Sequence, residues 1–149
     1  MDISLLLLEA NDGARMAYTE ALRGAGCRVT TAADSAQAYA AAVADVPDVI
    51  VVAFDAAVRD DRFGLCQRLG ADARTRHVPV LLTSAAMSQH DLERATSTGV
   101  LALVLESRDA AKLVSAVRGV VAARLRPPAL RASLESPVSD EVPRGNKRA

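Results

Sequence analysis

The chain has 149 residues, of which 50% are hydrophobic but only 3% aromatic, and its formal net charge is zero. This length suffices for one domain with a core of Leu, Val, Ile and Ala, followed by a tail. A neutral balance argues against a broad nucleic-acid footprint and against electrostatic attachment to a membrane surface. Cys27 and Cys66 lack the spacing of a disulfide framework or a zinc site, so we expect buried, reduced thiols.

Apolar runs that are typical of buried strands alternate with helical patterns along the chain. Strands are predicted over residues 3–8, 27–32, 49–54, 78–83 and 101–105, and helices over residues 13–23, 35–45, 61–71, 88–98 and 110–124. Strands that are apolar almost throughout belong in a parallel sheet covered by helices on both faces. Right-handed crossovers then predict an α/β, doubly wound, flavodoxin-like fold of five strands in the order 2-1-3-4-5.

The composition changes near residue 126. Four prolines punctuate the polar segment 126–149, which has no apolar periodicity, so we predict a folded domain over residues 1–125 and a disordered tail. The apolar run at the N-terminus is too short for a signal peptide or a membrane span. We therefore expect a cytoplasmic protein.

In such a sheet, ligand chemistry is expected just beyond the carboxyl ends of the strands. The residues at these places are Glu9, Ala10, Ala53, Asp55, Thr83 and Glu106. Because they follow different strands of one parallel sheet, we expect them to meet at one edge.

Several segments, in order and with the right spacing, resemble the receiver domains of response regulators in two-component systems over residues 3 to 124. They are Pro47–Val52, Phe63–Leu69, Val78–Ala85 and Gly99 at the start of strand five. No single segment is specific, whereas the ordered series is. The resemblance implies the flavodoxin-like fold and a role in regulation.

The resemblance also implies five polar positions: two acids that hold a magnesium ion, a carboxylate that accepts a phosphoryl group, a hydroxyl and a lysine. Glu9 keeps the first acid and Ala10 replaces the second; Ala53 stands at the acceptor, Thr83 keeps the hydroxyl, and Glu106 stands at the lysine position. Ala53 has no nucleophilic atom, so no acyl phosphate can form there. A carboxylate at Glu106 would repel a phosphoryl group.

These substitutions predict a degenerate receiver that is not an enzyme, binds no cofactor and acts through phosphorylation-independent protein–protein interaction. Candidate partners are a histidine kinase, an output protein or a second copy of the chain, with no role for nucleic acid or membrane. The resemblance places the interaction face on the last helix and strands four and five, and the predicted contacts are Arg108, Lys112 and Arg118.

An alternative remains open from the sequence. Asp55 shares strand parity with Ala53, so a two-residue shift would place its carboxylate at the sheet edge as a displaced acceptor. The chain would then be a phosphorylatable single-domain regulator with partial magnesium binding through Glu9. Mass measurement after treatment with a phosphodonor separates the two hypotheses.

Overall fold

The computed structural model describes residues 2–54, 61–84, 88–97, 101–105 and 107–124. Strands and helices alternate along these residues. The elements are β1 (Ile3–Leu8), α1 (Asp12–Gly24), β2 (Cys27–Ala32), α2 (Ser35–Ala44), β3 (Val49–Ala53), α3 (Arg62–Ala71), β4 (Pro79–Thr83), α4 (Gln89–Thr96), β5 (Leu101–Leu105) and α5 (Ala110–Arg124).

The strands form one parallel sheet in the order β2-β1-β3-β4-β5. The chain therefore winds outward from β1 in one direction to β2 and then in the other direction to β3, β4 and β5. This reversal places a switch point between β1 and β3, where sheets of this kind bind ligands beyond the carboxyl ends of the strands. The predicted α/β fold with a parallel sheet is confirmed.

Alternating side chains of the strands build one core on each face of the sheet, as the pleat requires. One core, with α2 and α3, contains Leu6, Leu8, Ala38, Ile50, Val52, Leu65, Leu69, Val80 and Leu82. The other, with α1 and α5, contains Leu5, Leu7, Leu22, Val49, Val51, Leu81, Leu113, Val117 and Val121. Burial on both faces explains why β1, β3 and β4 are apolar at nearly every position.

Helix starts follow capping side chains. The Asn11 carboxamide accepts from the Ala14 N–H at 2.8 Å, so α1 begins one residue before the prediction, and Asp34 caps α2 in the same way. α1 ends in a turn in which Gly26 has a φ of 98°, a backbone conformation that residues other than glycine rarely adopt.

β3 ends at Ala53, one residue before the predicted end. The Phe54 N–H still donates to the Thr83 carbonyl at 2.7 Å, but the Phe54 ring packs edge-on against Phe63, with 4.9 Å between centroids. Both cysteines are buried and free, as predicted. The predicted tail 126–149 lies outside the described residues. Within the described residues, no helix combines the length and the apolar content needed to cross a bilayer.

Candidate functional site

Three of the predicted site residues lie together at the carboxyl edge of the sheet. Ala53 pairs with Thr83 in the β3–β4 ladder, and the Glu9 N–H donates to the Ala32 carbonyl at 3.1 Å, continuing the ladder of β1 with β2. Glu9, Ala53 and Thr83 are each at most 3% exposed. Strand alternation directs the Ala53 and Thr83 side chains to the α1–α5 side of the sheet.

The carboxylate of Glu9 is engaged through both oxygens. Its Oε1 forms an ion pair with the Arg108 guanidinium at 3.1 Å, and its Oε2 accepts from the Asn11 N–H at 3.0 Å. The Glu9 side chain is 3% exposed and that of Arg108 is 32% exposed. A buried carboxylate needs such partners because burial of an unpaired charge is costly.

Arg108 also contacts Tyr18 of α1. The Tyr18 hydroxyl donates to the Arg108 carbonyl at 2.9 Å, and the Arg108 Nε–H donates back to the hydroxyl oxygen at 3.2 Å. We call Glu9, Tyr18 and Arg108 the Arg108 clamp. The sequence had placed Arg108 on the interaction face, whereas the structure directs its guanidinium inward, because the buried carboxylate of Glu9 and the Tyr18 hydroxyl lie beside it.

A second buried arginine reaches the end of β3. Arg62 is 4% exposed, and its Nε–H donates to the Ala53 carbonyl at 3.1 Å. It is the first residue of α3, whose start is fixed by Asp61 accepting from the Gly64 N–H at 2.8 Å. Sequence reasoning missed Arg62, since an arginine in the first turn of a helix is normally exposed.

Thr83 keeps its hydroxyl at the edge, but that hydroxyl is buried without a hydrogen-bond partner among the described residues. Its neighbour Ser84 continues the pairing, with its N–H donating to the Leu105 carbonyl at 3.1 Å. The Thr83 hydroxyl is therefore a donor and acceptor available within the site. A buried hydroxyl without a hydrogen-bond partner lowers the free energy of unfolding of the domain, so substitution of Thr83 tests whether the hydroxyl is used.

The described residues do not fit a magnesium site. Ala10 and Ala53 offer no side-chain oxygen, and the Glu9 carboxylate is already bound by Arg108 and Asn11. Magnesium requires several oxygen ligands in near-octahedral geometry. The described part of the chain also contains no group of three or more His, Cys, Asp or Glu residues able to hold a metal ion.

The remaining predicted positions divide into two groups. Asp55 and Glu106 lie outside the described residues. Lys112 and Arg118 are exposed on α5, as predicted. The Arg118 guanidinium donates to the Ala25 carbonyl at the end of α1 over 3.4 Å, a long and weak hydrogen bond.

Comparison with known proteins gives a consistent set of relatives. The chain is 32% identical over 98 residues to the response regulator PleD of Caulobacter vibrioides, a match that covers 65% of this chain and 21% of PleD. The chain thus spans about a fifth of the length of that curated relative. A scan against protein-family models finds no match.

Solved structures extend the likeness to the whole described fold. The receiver domain of the sensor histidine kinase PA1611 from Pseudomonas aeruginosa, solved with a magnesium ion coordinated in its active-site cleft, superposes with a TM-score of 0.70 at 25% identity, covering 82% of this chain and 99% of that one. The chemotaxis response regulator CheY4 of Vibrio cholerae has the same fold, with a TM-score of 0.70 at 20% identity over 80% of this chain and 99% of its own.

Proposed function

We propose that this chain is a response-regulator receiver domain and that it signals through protein contacts that do not depend on its own phosphorylation. One observation carries the proposal: the end of β3, where a receiver would present its acceptor carboxylate, is occupied by the methyl group of Ala53, which is 2% exposed. A methyl group cannot attack a phosphoryl group. The local structure uses the Ala53 carbonyl instead, as the acceptor for Arg62.

The second support comes from the neighbouring cation position. The PA1611 receiver coordinates magnesium in its cleft, whereas the one acid retained in this chain, Glu9, is paired with Arg108. A ligand can shift a conformational equilibrium only if it binds one state better than the other. With neither phosphoryl group nor magnesium to bind, we expect the domain to keep one signalling state.

The domain must then pass its signal on by binding a partner. We propose that this partner is a histidine kinase or an output protein of a two-component or phosphorelay pathway in the cytoplasm, and the other candidate is a second copy of the chain. The proposed contact surface is the exposed side of α5, which carries Lys112 and Arg118. Its two positive charges favour an acidic partner surface, because opposite charges speed association and orient the encounter.

The chemistry is tested by intact-mass measurement after incubation with a small phosphodonor and magnesium. We expect no added phosphate on the native chain, with a receiver domain that accepts phosphate under the same conditions as the positive control. A single phosphate that disappears in Asp55→Asn would overturn the proposal and establish the displaced acceptor.

The contact surface is tested by charge reversal. Lys112→Glu and Arg118→Glu should each weaken binding to the kinase or output protein captured from native cytosol. Arg76→Glu is the matched control, because Arg76 is an exposed arginine in the turn between α3 and β4, and α3 packs on the face of the sheet opposite to α5. Binding should also be the same with and without phosphodonor. Equal loss for all three variants, or binding that requires phosphodonor, would contradict the proposal.

A further inference from the structure

We propose that the Arg108 guanidinium takes over the place of a divalent cation against Glu9, and that this internal ion pair holds the β5–α5 connection to the carboxyl end of β1 and to α1. Arg108 then acts as a positioning residue. This ion pair holds the edge of the sheet together whether or not the chain can be phosphorylated.

The three residues of the Arg108 clamp come from three separate parts of the fold. Arg108 lies 99 residues along the chain from Glu9 and 90 from Tyr18. Its guanidinium bonds both the Glu9 carboxylate and the Tyr18 hydroxyl, and its carbonyl accepts from the same hydroxyl. Tyr18 is itself 7% exposed, so the hydroxyl that links the two contacts is fixed by packing. The geometry therefore connects β1, α1 and the residues that precede α5.

Charge explains why the position favours an arginine. A carboxylate as deeply buried as that of Glu9 needs a positive partner, and a metal ion or a guanidinium can each supply it. A guanidinium also carries directed N–H donors, which explains its simultaneous bond to Tyr18. Magnesium would have to displace a cation that is covalently part of the protein, and the described residues offer it no group of three or more His, Cys, Asp or Glu side chains.

The clamp also bears on the proposed contact surface. α5 begins at Ala110, two residues after Arg108, and Asp109 accepts from the Ala111 N–H at 2.8 Å through its carboxylate and from the Leu113 N–H at 3.0 Å through its carbonyl. Fixing Arg108 therefore fixes the first turn of α5.

Hydrogen exchange tests the mechanical part of the proposal. Arg108→Met keeps most of the side-chain length and removes the charge, and we expect the amides of Ala111, Lys112 and Leu113 to exchange about tenfold faster, a modest factor because Arg108 is partly exposed. Glu9→Gln should give the same pattern from the other partner. The double variant should exchange no faster than Arg108→Met alone, since that variant already removes the pair with Glu9 together with the bond to Tyr18.

Arg28→Met is the matched control, because it breaks an exposed pair with Asp2 whose side chains are 65% and 70% exposed. It should leave exchange at the start of α5 unchanged. Unchanged exchange in Arg108→Met and in Glu9→Gln, or additive effects in the double variant, would overturn the proposal. If Arg108→Met does not fold, as judged by circular dichroism, Glu9→Gln alone decides the outcome.

Terbium luminescence tests the cation part. Tb³⁺ binds carboxylate oxygens and emits when a nearby tyrosine is excited, and Tyr18 is beside the clamp. We expect the native chain to give no Tyr-sensitised emission that depends on Glu9, because Arg108 already holds that carboxylate. Emission from the native chain that disappears in Glu9→Gln would mean that the Glu9 carboxylate is open to a cation, and this result would refute the replacement.

Discussion

Thr83 offers the sharpest test of whether the switch hydroxyl is still used. Its hydroxyl is buried and has no hydrogen-bond partner among the described residues. Thr83→Val replaces that hydroxyl by a methyl group of nearly the same shape. Because an unsatisfied buried polar group costs about 1–3 kcal/mol, the substitution should raise the free energy of unfolding by about 1–2 kcal/mol. For a domain of this size the melting temperature should rise by roughly 3–6 °C.

Two other buried threonines make the comparison internal. Thr75 is 1% exposed and its hydroxyl donates to the Leu69 carbonyl at 2.8 Å, so Thr75→Val removes a satisfied hydrogen bond and should lower stability by about 1–2 kcal/mol. Thr19 on α1 is 9% exposed and its hydroxyl also has no partner among the described residues, so Thr19→Val should act in the same direction as Thr83→Val. The same chemical change thus has opposite predicted signs.

Thermal and urea unfolding of the three variants, with partner binding measured in parallel, complete the test. Thr83→Val should be stabilised and should bind its partner as the native chain does, and Thr83→Ala should also leave binding nearly intact. If Thr83→Val is destabilised as much as Thr75→Val, the hydroxyl has a partner in solution. If it also loses partner binding, Thr83 still works as a switch and the single-state argument fails.

Two further predictions concern titration. Hydrogen bonds from the Arg74 side chain, with others from the Arg74 backbone and Tyr39, hold the pKa of the Asp72 carboxyl well below its usual range. The stability that this carboxylate adds is therefore present above about pH 4 and is lost as the pH falls further. Asp72→Asn should flatten that part of the plot of unfolding free energy against pH. Burial, with a smaller contribution from Asp61, raises the pKa of the Cys66 thiol to about 11. Cys66 should therefore resist alkylation at about pH 8 in the folded chain and react fully in urea. Fast labelling of the folded chain would contradict its burial.

The fold was predictable because its signals are local. The residues of β1, β3 and β4 are buried on both faces of the sheet, so nearly every one of them is apolar, as is typical of a buried strand. The capping residues Asp34 and Asp61 indicate where α2 and α3 begin. The end of β3 was misplaced by one residue because Phe54 is apolar and still forms one ladder bond, which the sequence pattern does not distinguish from a strand position.

The site was predictable in its positions but not in its contacts. Strand ends and parity are enough to bring Glu9, Ala53 and Thr83 to one edge, since parallel strands end on the same side. The hydrogen-bond partners of these residues can lie far away in the chain, as Arg108 does from Glu9. The sequence also does not distinguish a buried arginine from an exposed one. Arg62 and Arg108 were therefore assigned to the surface or overlooked, although both turn inward in the structure.

The inward arginines have a common physical cause. Carbonyl and carboxylate oxygens that face inward at the end of a strand need donors, because buried acceptors without partners are costly. Arg15 donates to the Glu9 carbonyl at 2.8 Å, Arg62 to the Ala53 carbonyl, and Arg108 to the Glu9 carboxylate. A ligand entering this edge would first have to break bonds that the protein already makes with itself. Apart from the Thr83 hydroxyl, these acceptors at the edge are satisfied from within, and this arrangement favours a domain that presents one fixed surface to its partners.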